Sequence, residues 1–101
     1  MAIFVERRLR AVGKRLTKLR ADLVIADEQL AHFAGESDDL RIRSLVSETP
    51  LAGEDHRQAE RHSLAMARHR SELVEAIARL EQEQDALLDE LENGVTASLR
   101  Q

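Results

Sequence analysis

Nine residues near the start of the chain, Val5, Leu9, Val12, Leu16, Leu19, Leu23, Ala26, Leu30 and Phe33, follow one another at alternating steps of four and three without a miss. That spacing sets them on one stripe of an α-helix, of the width that a single partner helix covers. A second stripe runs through Met66, Arg70, Leu73, Ile77, Leu80, Gln84, Leu87 and Leu91 at the same steps, with two polar members. Two such seams in 101 residues predict an all-α fold. The expected form is an antiparallel two-helix coiled-coil hairpin with a short helical tip, and a dimer of hairpins would make it a helical bundle. Phe4 and Phe33 are the only aromatic residues, so a sandwich or barrel core would be hard to fill. A chain 43% apolar and 34% charged suits long amphipathic helices instead.

Local signals divide residues 1–101, taken as a single helical domain, into three parts. Helix 1 is expected over about residues 3–34, with Gly35 as a left-handed cap. Ser37 followed by Asp38 and Asp39 is the N-terminal signature of a short tip helix over about 37–46. Thr49-Pro50 then opens helix 2, expected over about 50–93, with an alternative start near 54 beyond Gly53. Asn93-Gly94 would close it, unless Val95 and Leu99 extend it.

Charge argues for the antiparallel arrangement. Residues 1–20 hold seven basic side chains and one acidic, and residues 80–101 hold six acidic and one basic. Arg7, Arg8 and Arg10 stand at the positive end of one helix dipole, and Glu90 and Glu92 at the negative end of the other. Laying the start of helix 1 beside the end of helix 2 turns both misplacements into attraction. The matching register sets Phe33 against Met66, Ala26 against Leu73, Leu23 against Ile77, Leu19 against Leu80 and Leu9 against Leu91. It sets Arg8 near Glu90, Arg15 near Glu83 and Arg20 near Glu81, with Gly13 leaving room for Leu88. Arg70 opposite Leu30 and Gln84 opposite Leu16 would act as register pins.

Chemistry is sparse by comparison. The sequence holds no phosphate loop, nucleophile elbow, His-Glu-x-x-His pair or dinucleotide fingerprint. Without cysteine there is no disulfide, thiolate ligand or cysteine nucleophile. Glu28 with His32 and His56 with Glu60 are each four apart and would offer two ligands to a face, short of a metal site. The expectation is therefore a protein that is no enzyme and holds no cofactor or metal. A net charge of −4 speaks against direct nucleic-acid binding. No apolar run is long enough to span a membrane, and the first residues lack the order of a signal peptide, so the cytoplasm is the expected address.

What remains is binding to protein. Leu40, Ile42, Leu45, Val46 and Leu51 crowd the tip, with Asp38 and Asp39 as a polar rim. Val24 and Ile25 make a small apolar patch on the outer face of helix 1. Arg7, Arg10, Lys14 and Lys18 form a basic strip suited to an acidic surface. These are the candidate partner-binding residues of an interaction or adaptor protein, whose partner is another protein or a second copy of itself. Glu36, Asp38 and Asp39 at the end of a helical hairpin resemble, in arrangement, the coiled-coil transcription factors that insert an acidic tip into the secondary channel of bacterial RNA polymerase. Asp38 and Asp39 would be the carboxylates matched to the Mg²⁺-holding pair of those factors, whose globular anchor domain and zinc-binding cysteines have no counterpart in this chain. That resemblance implies, as the alternative, a small regulator of RNA polymerase, with a ribosome-associated factor next.

Overall fold

A computed structural model describes residues 2–47 and 50–100, all of them helical. Helix α1 spans Ala2–Ser47 and helix α2 spans Pro50–Arg100, and the two long helices pack against each other as an all-α hairpin. None of the described helices is long and apolar enough to cross a membrane.

Helix α1 does not stop at Gly35, and residues 37–46 are its continuation rather than a separate tip helix. The reason is that the four-and-three pattern does not end at Phe33. Ser37, Leu40 and Ser44 occupy the next seam positions, and all three are half-buried. Gly35 faces outward, and a side chain there would meet open space. One outward glycine costs a helix about 1 kcal/mol relative to alanine, too little to break a helix whose seam is still engaged. Asp38 and Asp39 accordingly lie in mid-helix on the outer face, rather than in a first turn.

Helix α2 begins at Pro50, where the missing amide proton is harmless and the fixed φ already suits a helix. Thr49, expected as its cap, lies outside the described residues. Gly53 does not delay the start, and a methyl group there would sit 3.7 Å from the Ser44 hydroxyl oxygen. Upstream of Met66 the second seam also continues, through Ser63, Ala59 and His56. Beyond Asn93-Gly94 the helix runs on to Arg100.

The described residues group into two compact units. Unit 1 joins α1 up to Ala21 with α2 from Leu73 onward, and its buried core is Val5, Val12, Leu16, Leu19, Leu73 and Ile77. Arg8 donates two parallel hydrogen bonds to Glu83, 2.5 Å from Nε to Oε1 and 3.0 Å from Nη2 to Oε2. Arg20 approaches Glu81 at 3.8 Å, as the charge pattern predicts. Glu83 is thus taken by Arg8 rather than by Arg15, and Arg8 does not use Glu90. Gly13 makes no room for Leu88: a methyl group on Gly13 would touch nothing within 4 Å, and Leu88 is exposed.

Unit 2 is Asp22–Glu72, and among its described residues the buried side chains are Ala26 and Ala59. The seam here is built of small and polar residues, with Leu23, Leu30, Phe33, Leu40 and Met66 half-buried among them. Phe33 meets the edge of His62, the ring centroids 5.8 Å apart, where the sequence predicts Met66. Arg70 reaches the Asp27 carboxylate rather than lying over Leu30. Both contacts displace the pairing by three or four residues. A shift of that size exchanges the two kinds of seam position while keeping both seams face to face, so hydrophobic spacing alone does not distinguish the registers.

Candidate interaction surface

The four-and-three seam consumes the inward face of both helices, and what is left exposed follows from it. At the end of α1 the seam positions are Leu40 and Ser44, so Ile42, Leu45 and Val46 are turned outward by the helical period. Just across the turn, Leu51 in the first turn of α2 is exposed as well. These four aliphatic side chains are between 54 and 81% exposed. Among the described residues nothing covers them, and the segment that carries Ile42, Leu45 and Val46 is the last part of α1 itself. Leu40 differs from its neighbours: it packs into the seam and is not part of the exposed group.

Asp38 and Asp39 lie one turn before Ile42, both exposed, and carry no hydrogen bond or ion pair among the described residues. A shallow groove of about 300 Å³ in the same unit is lined by Glu36, Leu40, Asp55, Gln58, Ala59 and His62. Its polar side chains are exposed, so none has the desolvated setting that tunes a general acid or base. Beside it, His56 is half-buried and donates from Nδ1 to the Ser37 carbonyl at 3.1 Å. Its Nε2 lies 3.8 Å from Glu60. That hydrogen bond ties the start of α2 to α1. His32 turns to Glu36, at 3.7 Å, rather than to Glu28. Among the described residues no three or more potential ligands gather in a metal-binding geometry.

Val24 and Ile25 are exposed on the outer face of α1. Together with Ile3-Phe4 and Leu45-Val46 they form apolar doublets spaced by three heptads, all at the same two outward positions. That longer spacing is legible in the sequence, although a search for heptads alone passes over it. Arg7, Arg10, Lys14 and Lys18 are exposed along α1 in unit 1, and Lys18 has a partner of its own. No ion pair joins Arg7, Arg10 or Lys14 among the described residues. In the same unit Arg8 holds Glu83 through two parallel hydrogen bonds. Hydrogen bonding from Arg8, and after it the attraction of the Arg8 charge, holds the Glu83 carboxyl below its ordinary value against the opposing effect of desolvation, and the same bond raises Arg8.

The chain matches no protein-family model, and no curated protein or solved structure is significantly similar to it.

Proposed function

We propose that the protein is a non-enzymatic interaction module of the cytoplasm, an adaptor that presents Ile42, Leu45, Val46 and Leu51 to an apolar surface of a protein partner. The supporting observation is the exposure of these four aliphatic side chains around one turn, beside a seam that has no further use for them. A contiguous exposed apolar patch is a feature that protein-interaction sites share. Asp38 and Asp39 form the polar rim, where exposed charges steer and select a partner more than they add affinity. Val24 and Ile25 offer a second, smaller contact on the same helix.

The test is capture of partners from host lysate by the tagged wild-type chain and by the Leu45→Asp, Val46→Asp double variant. Both positions are outward, so helicity should be unchanged, while partner recovery should fall at least about tenfold as two charges enter an apolar contact. Equal recovery by both proteins would refute the reading. Asp38→Asn with Asp39→Asn serves as the counter-test, since an apolar contact tolerates it. Loss of binding in that variant alone, with RNA polymerase as the captured partner, would transfer the function to a carboxylate-dependent regulator.

A further inference from the structure

One face of unit 1 is unused by the hairpin itself. On α2, the residues beside the seam at every seventh position are Val74, Glu81, Leu88 and Val95, so three of four are large aliphatics on a single stripe. They are 40 to 54% exposed. The opposite flank of α2 holds Ala76, Glu83 and Glu90 at the equivalent positions, so the two flanks are not alike. Facing the apolar flank on α1 are Glu6, Gly13 and Arg20, and the Arg20–Glu81 approach at 3.8 Å places these two flanks side by side. On the α1 side of the face is a notch, the empty space above Gly13, and on the α2 side Leu88 is exposed. A mid-helix glycine weakens a helix. Among the described residues nothing uses the room it leaves.

We propose that this face binds a second copy of the chain, the two hairpins lying side by side in the same direction, with Leu88 of each copy entering the Gly13 notch of the other. The charge of the two arms selects the occupant and the orientation. The first 20 residues carry seven basic side chains against one acidic, and residues 80–101 carry six acidic against one basic. A two-fold axis along the helices brings the basic arm of each α1 against the acidic arm of the other α2, twice per dimer. A two-fold axis across the helices, centred on the same face, would set basic on basic. The same operation sets the Gly13 flank of one copy against the Leu88 flank of the other: Gly13 lies one heptad before Arg20 and Leu88 one heptad after Glu81, and Arg20 and Glu81 approach to 3.8 Å within a single hairpin.

This proposal rests on unit 1 and stands apart from the reading of the turn-end cluster. Its test is sedimentation velocity over a wide concentration range at low and high salt, with helicity followed by circular dichroism. The wild type should run as a dimer that salt weakens. Leu88→Glu buries an unpaired charge in the contact, and Gly13→Leu fills the notch. Each should weaken association at least about tenfold while leaving helicity intact, since both positions are open within one chain. Wild-type protein that stays monomeric throughout, or dimers equally stable in both variants, would overturn the proposal. Orientation has its own test, made clean by the absence of native cysteine. Thr17→Cys and Asp85→Cys proteins should form a disulfide when mixed and little when oxidised separately. Self-crosslinking of either alone, without the mixed product, would overturn the arrangement.

Discussion

Arg8 and Glu83 show what a single pair contributes in a molecule with so little aromatic or polar core. The two side chains are open to water, so the bidentate geometry matters more for holding unit 1 in register than for its stability. It nevertheless leaves a pH signature with a definite sign. The folded state lowers the Glu83 carboxyl, so the unfolded chain binds the proton more readily. Stability from this group is complete above the usual carboxylate range and is lost as pH falls through the lowered value. Thermal melts of the wild type and Glu83→Gln should therefore differ at neutral pH and converge in acid. A gap that widens below about pH 4 would have the wrong sign for this pair. Gly35 makes a second prediction at the same scale. In a continuous α1, with open space over the residue, Gly35→Ala should raise stability by about 1 kcal/mol. Had Gly35 been a left-handed cap, the same change would destabilise, so the sign of the change in melting temperature decides between the two conformations.

At the scale of the element, the seams decide what each helix does. Leu16 and Leu19 are almost completely buried, and Leu16→Ala should cost about 2–5 kcal/mol, measured by urea denaturation of purified protein. Arg70 is the opposite case, a charged residue at a seam position whose partner is Asp27. The pair is open to water, so Asp27→Ala should change the stability of unit 2 by less than about 1 kcal/mol, whereas Arg70→Leu should be neutral or stabilising because it completes the apolar seam. The existence, type and pairing of both helices were legible in the spacing of Val5 to Phe33 and Met66 to Leu91, since a stripe of that period has only one economical way to be covered. Their lengths were not. Ser37 and Ser44, or His56 and Ser63, occupy seam positions without being apolar, so the pattern reads as ended where only its hydrophobicity does. The register was also hidden, because displacing one seam by three or four residues preserves apolar contact and only side-chain reach, as in Arg8 with Glu83, selects among the alternatives. At the candidate site the exposure of Ile42, Leu45, Val46 and Leu51 follows directly from that period. The loss of Leu40 to the seam does not, since it needs the helix to continue past Gly35.

Across the whole molecule, apolar burial is shared unevenly. Among the described residues the buried side chains of unit 1 are Val5, Val12, Leu16, Leu19, Leu73 and Ile77, while those of unit 2 are Ala26 and Ala59. Burial stabilises at about 25 cal/mol per Å² of apolar surface, so alanine contributes little beside leucine or valine. Opening free energy is a local quantity, set by the apolar contacts that must be broken, so the two units should open separately. Hydrogen exchange read by mass spectrometry should show peptides from residues 5–20 and 73–91 protected to the highest level. Peptides from 36–46 and 53–63 should exchange first, even though both lie within regular helix. Uniform protection across the chain would mean that the seam of serine, alanine and histidine stabilises as well as one of leucine and valine, and the link drawn between burial and local stability would fail. The expected asymmetry has a functional consequence. The exposed aliphatics of the turn end belong to the less stable unit, so a partner that covers Leu45, Val46 and Leu51 should raise protection there far more than in unit 1.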